Sequence, residues 1–341
     1  MKEKDHTIKD TLQNRNANID LARCISCLGV VGLHAIGLTN YTLYYLCAFS
    51  VPTFFMISGY LMFKKEHIDY PYALKKVLSY LRIIFCWDVI ITIPIMIIKH
   101  RMINPLAECV RSIFQKGYMW QFWYLGAMVI MLLLLPLYHD AVRRNRKLHL
   151  ELILLMFVSC VSVTAGSCLS EFPNQSFVPQ FLRIWISGFY FLIGGFIGRR
   201  ESLGSDSSST AGNRRFLILV LLTVVMTYVS NMGQKHLGNY VYHNRMADYF
   251  YDELSVMIWC ILLFMLLLRI RLRYSGYIVA FGKLTLGIYI IHPLLLKGVE
   301  ALNPPATTFV AVVKWIGVTA ASALITYIMQ RIPYIRKLTE L

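Results

Sequence analysis

Charge is what this chain has least of. Only 15% of its 341 residues are Asp, Glu, Lys or Arg, against about 25% in a soluble domain. Acids are scarcer still, 18 against 34 bases, for a net charge of +16. Hydrophobic residues make up 57% of the chain, above the roughly 45–50% of soluble domains. An ordinary soluble enzyme is excluded, and so is a disordered chain, which needs low hydrophobicity. A cleaved signal is also missing. Residues 1–18 are polar and no small-residue cleavage site follows the first apolar run, so that run reads as a retained span. The eight cysteines lie mostly in apolar runs, and Cys24-x-x-Cys27 has neither zinc-ribbon nor thioredoxin surroundings. No disulfide framework and no metal is expected. The basic excess sits in short clusters between apolar runs, which suits membrane topology rather than nucleic acid.

What the chain does have is long apolar segments. About ten reach or approach the roughly 20 residues that cross a bilayer: 19–39, 43–63, 77–98, 120–138, 149–169, 181–198, 214–232, 254–270, 277–298 and 308–330. The expectation is an all-α integral membrane protein, its ten helices in one bundle. The connecting segments on the side of the two termini carry 22 Lys and Arg, against 6 on the other side. The positive-inside rule therefore places both termini in the cytoplasm. The organisation expected is a cytoplasmic tail over 1–18, one membrane domain over 19–330 and a cytoplasmic tail over 331–341. The Ser- and Gly-rich stretch 201–213 reads as a flexible cytoplasmic linker.

Ionisable groups inside a span are costly and therefore functional candidates. Arg23 and His34 share the first span. Eleven steps put them about 16 Å apart along a helix and within about 20° of one face. Arg23 then stands near the cytoplasmic surface as a fork for phosphate. His34 stands deeper, as a group for proton transfer. Ser58 and Gly59 end the second span at the depth of Arg23, where Gly59 allows close approach of a ligand or a helix. Lys76 and Arg82 add cations at the same level. Asp88 is the one acid expected deep in a span. It either orients His34, as in a carboxylate–histidine dyad, or forms an ion pair with an arginine. Arg183 opens the sixth span on the outer side, and Lys283 falls within the ninth. His292 precedes Pro293, where the helix is expected to kink or end. There it would either bind an acceptor, share proton transfer or cap carbonyls freed by the proline. The outer loop 233–253, rich in Tyr, His and Asn, fits a sugar-binding surface and an interfacial aromatic belt equally.

Four stretches, in order and spacing, carry a family resemblance. They are Asp20-Leu21 with Arg23 and His34; Phe54 to Tyr60 (FFMISGY); Phe122-Trp123-Tyr124-Leu125 followed by Pro136; and Leu286 to His292 (LGIYIIH). Gly188 to Gly195 is similar to a further span of the same family. The chain resembles the bacterial membrane-bound acyltransferase-3 family, which includes O-acetyltransferases of envelope polysaccharides. The resemblance implies about ten transmembrane helices in the bacterial inner membrane. It implies transfer of an acyl group, usually acetyl, from cytoplasmic acyl-CoA to a hydroxyl of a glycan or lipid-linked sugar. Acetyl-CoA would be a donor substrate, and no bound cofactor is implied. It assigns His34 as base or acyl relay and Arg23 to the CoA end, where Ser58, Lys76 and Arg82 would join it. Gln121, Trp123, Arg183, Tyr289 and His292 become acceptor candidates, and Asp88 a catalytic one. Many members carry a histidine where this chain has Gln121, so its choice of acceptor is expected to differ. The rival class is a proton-coupled exporter of a glycan or lipid-linked precursor, which would use the same buried Asp and His groups.

Overall fold

The computed structural model describes residues 16–201, 210–272 and 275–340. The tail over 1–15 and most of the expected linker, residues 202–209, lie outside them. Among the described residues every regular element is helical. In chain order the helices are α1 (Ala17–Ile36), α2 (Tyr41–Leu46), α3 (Ser50–Phe63), α4 (Tyr70–Lys99), α5 (Pro105–Ile113), α6 (Trp123–Arg144) and α7 (Arg146–Leu169). They continue as α8 (Ile184–Glu201), α9 (Thr210–His236), α10 (Leu254–Leu267), α11 (Ser275–Gly282), α12 (Thr285–Glu300), α13 (Thr308–Arg331) and α14 (Pro333–Arg336).

Each of the ten expected segments is occupied by helix, but not each as a full span. Among the described residues, seven helical segments are long and apolar enough to cross a membrane. The pair α11 and α12 makes an eighth if counted together, bent by 57°. The expected sixth and eighth spans fall short, at Ile184–Arg199 and Leu254–Leu267. At 1.5 Å per residue such helices reach about 21–24 Å, less than a hydrocarbon core of about 30 Å. The unbroken ninth span of the sequence reading is corrected to two helices. Lys283 stands exposed in their break, where a charge interrupts the apolar run.

Helix α1 is the hub, packed against α2, α3, α10, α11, α12 and α13. Asn16 caps it, its side chain accepting from the Asn18 amide at 3.0 Å. Asn18 in turn donates to the carbonyls of Leu267 and Ile270 at 2.9 and 2.8 Å, which ties the start of α1 to the end of α10. The closest helix pair is α3 with α8. A Cβ on Gly59 would overlap the Phe191 carbonyl, and one on Gly194 would overlap the Met56 carbonyl. The small residue at 59 thus serves helix packing, as in small-residue interfaces within membranes.

Pro293 does not end its helix, contrary to one of the sequence expectations, since α12 runs on to Glu300. Proline leaves the carbonyl four residues back without a donor, and here that carbonyl belongs to Tyr289. The His292 ring turns back along this stretch of helix, its Nδ1 donating to the Ile288 carbonyl at 2.9 Å.

Candidate active site

One cavity of about 800 Å³ runs beside α1. Its wall includes Arg23, Val30, Leu33, His34 and Leu38 of that face, so Arg23 and His34 share a surface as their spacing predicts. From Arg23 to Leu38 the cavity follows about 22 Å of chain. At the Arg23 end it is lined by Lys76, Lys283, Arg336 and Glu340, and at the far end by Gln115, Gln180, Met246 and Asp248.

Arg23 is held by Asp20, Nη1 to Oδ1 at 3.0 Å, one helical turn away on α1. Asp20 is fully buried and packs on Gly282, where a Cβ would stand 3.0 Å from its Oδ1. The sequence reading names Asp20 within the family motif but gives it no role. Its i,i+3 spacing to Arg23 was the available signal. Beside Arg23 lie Ser58 and Tyr124, both in the cavity wall. Ser58 Oγ donates to the Phe54 carbonyl at 2.9 Å.

His34 sits midway. Its ring meets Trp120 edge-on at 4.7 Å between centroids, and lies stacked on His292 at 5.4 Å with 20° between planes. His34 faces the cavity, while His292 is fully buried behind it. Because His292 Nδ1 donates to Ile288, its Nε2 carries the lone pair, and this atom is buried with no hydrogen-bond partner. Gln121 and Tyr289 complete the wall. The Tyr289 hydroxyl donates to the Gln121 carbonyl, and Gln121 Nε2 donates to the Ile290 carbonyl at 3.3 Å. Gln121 Oε1 is left as a second buried acceptor without a partner. Trp123 lines the same wall and meets Tyr124 edge-on.

Three expected residues stand elsewhere. Asp88 neither orients His34 nor pairs with an arginine. Its Oδ1 accepts from Ser112 Oγ at 2.7 Å, across to α5, and the residue is no part of the cavity wall. The segment after α4 folds back as a helix and delivers a hydroxyl to Oδ1, while Oδ2 is buried without a hydrogen-bond partner. Arg82 is exposed and reaches the Lys337 carbonyl at 3.4 Å instead of the cavity. Arg183 is occupied as a clamp on the far rim. Its Nη1 lies 3.0 Å from Asp248 Oδ2, its Nε donates to the Val178 carbonyl at 3.1 Å, and its guanidinium covers the Tyr249 ring. The loop 233–253 is divided: Tyr242 and Tyr251 are buried, while Tyr240 is 72% exposed.

Among curated proteins and among solved structures, none matches this chain. A family model described as an acyltransferase domain matches residues 16–331, nearly the whole chain and all of the site just described except Arg336 and Glu340. The chain therefore belongs to the acyltransferase-3 family and is a membrane acyltransferase.

Proposed function

We propose that this protein moves an acetyl group from cytoplasmic acetyl-CoA to a hydroxyl of a cell-envelope glycan or lipid-linked sugar in the bacterial inner membrane. The observation that carries the reading is the cavity with cations at one end, His34 at mid-depth and neutral amide and aromatic groups beyond. Arg23, Lys76 and Lys283 suit the phosphates of the donor. The thioester then lies along α1, and the acceptor hydroxyl arrives from the side of Gln121, Trp123 and Tyr289.

The chemistry assigned to His34 is that of a base. Its neutral ring takes the hydroxyl proton as the oxygen attacks the thioester carbon. The carbon–sulfur bond breaks, and the thiolate of CoA leaves with the proton from the imidazolium. In the alternative use of the same residue, the ring nitrogen takes the acetyl first and passes it on. A labelled acetyl-protein trapped in the absence of acceptor would select the relay.

The test uses membranes carrying the protein, fed labelled acetyl-CoA and host envelope glycan. Label reaching glycan with the wild type but not with His34→Ala at matched expression supports the reading. No transfer to any glycan, together with failed glycan export in cells lacking the protein, would replace it with the exporter.

A further inference from the structure

The segment that follows α13 is docked, not loose. Trp87 Nε1 donates to the Leu338 carbonyl at 2.9 Å, Arg82 Nη2 reaches the Lys337 carbonyl at 3.4 Å, and Thr339 is fully buried. Two side chains of α4 thus hold the backbone of 337–338 across the cationic end of the cavity. Arg336, Thr339 and Glu340 become part of its wall, beside Arg23, Lys76 and Lys283. Within that wall, Arg336 Nε and Glu340 Oε2 form an ion pair at 2.8 Å. Four cations of the mouth face two carboxylates. Asp20 is buried against Arg23, whereas the Glu340 side chain is 34% exposed.

A guanidinium fork accepts carboxylate and phosphate in the same geometry, and phosphate brings more charge. We propose that Arg336 is a phosphate-binding residue of the donor site and that Glu340 is its resident stand-in, displaced when a phosphate of the donor enters the mouth. The inference rests on the reading that a phosphate-bearing acyl donor enters at this end. It adds a segment distant in sequence from Arg23 to the donor site. It also lowers the cationic surplus of the mouth before the donor enters, because Glu340 covers one of its four cations.

The experiment uses the full chain purified in neutral detergent. CoA binding is followed by calorimetry, and the KM for acetyl-CoA is compared with that for S-acetylpantetheine, a thioester without phosphate. Arg336→Gln is expected to raise the CoA Kd and the acetyl-CoA KM about fivefold, and Glu340→Gln to lower both about threefold, the scale of one partly exposed charge pair. Neither variant is expected to change the KM for S-acetylpantetheine. An equal shift for both donors would overturn the proposal and make the segment a steric strap. Unchanged CoA binding in both variants would overturn it as well. If Arg336→Gln instead alters only the binding of added phosphatidylglycerol, the phosphate is that of a lipid headgroup and the donor assignment falls. Wild type that binds CoA in this Arg336-dependent way, yet transfers nothing, would keep the phosphate site and remove the transferase reading alone.

Discussion

The two ends of the cavity are built on opposite electrostatic plans. At one end Arg23, Lys76, Lys283 and Arg336 outnumber Asp20 and Glu340, so cationic charge is in surplus. At the other, Gln115 Nε2 donates to Gln180 Oε1 at 2.6 Å, Tyr44 and Tyr251 face inward, and Asp248 is neutralised by Arg183. A site with the same ligand at both ends would have no reason for this difference. The contrast gives the cavity a direction: an anionic partner is favoured at the Arg23 end and a neutral, hydroxyl-bearing one at the other. His34 stands between them, with a wall of rings rather than a carboxylate around it.

The largest expected effect tests the midpoint. His34→Ala should lower turnover by about 10²–10⁴-fold, the usual worth of a positioned acid–base group, with the thermal midpoint in detergent little changed. Residual turnover near the wild-type level would show that the two ends meet at some other group, and the comparison would lose its centre.

Next comes the separation of the ends themselves. Arg23→Gln should raise the KM for acyl-CoA about tenfold or more, since a charge-assisted contact is worth roughly 1.5–3 kcal/mol, while leaving the acceptor KM in place. Gln121→Ala should do the reverse, raising the acceptor KM about threefold to tenfold through the lost Oε1 acceptor. The comparison breaks if either variant moves both constants together.

How far the sequence could disclose this arrangement differs from residue to residue. The Arg23–His34 face followed from helical spacing alone, because both residues lie on one uninterrupted helix. Gly59 was legible as a point of close approach, but only the crossing of α3 with α8 shows that a helix occupies it. Asp20 was named within the family motif, but its pairing with Arg23 was not drawn because it stands near the boundary of the first span, although the spacing was in view. Asp88 was misjudged for a different reason. Its partner Ser112 lies on a short helix outside the spans, and burial in a span says nothing of which neighbour folds back to satisfy the charge. Arg183 and Asp248, 65 positions apart, meet only through the outer loops. The docking of residues 337–338 depends on Arg82, which read as a cation of the mouth, and on Trp87, which the sequence reading did not single out.

A smaller effect belongs to the far rim. Arg183→Gln removes one partner of a pair whose side chains are 7% and 22% exposed. Stranding Asp248 should cost about 2 kcal/mol, below the 3–5 kcal/mol of a fully buried pair because water still reaches the carboxylate. A lowered thermal midpoint with an unchanged donor KM would confirm that the clamp serves the rim alone. A changed donor KM would mean that the ends are mechanically coupled.

The smallest effect concerns pH, and it should appear only on the far side. Behind Tyr251 in the loop before α10, Asp252 is 1% exposed, accepting from Gln175 Nε2 at 2.8 Å and from Trp185 Nε1 at 3.2 Å. Burial pushes its carboxyl up from 3.8 to about 6, although both hydrogen bonds pull the other way. Between these two values the folded protein binds more protons than the unfolded chain, so the contribution of Asp252 to stability declines as pH rises. Below the lower value both states are protonated, and above the upper one both are ionised, so the change is confined to that window. Asp252→Asn removes the titration. The wild-type midpoint minus that of the variant should therefore fall between pH 4 and 6 and be flat above. A difference that is constant across this range would show that the carboxylate is already ionised in its pocket. The hydrogen bonds from Gln175 and Trp185 would then outweigh burial, and the far end would owe its neutrality to fixed dipoles alone.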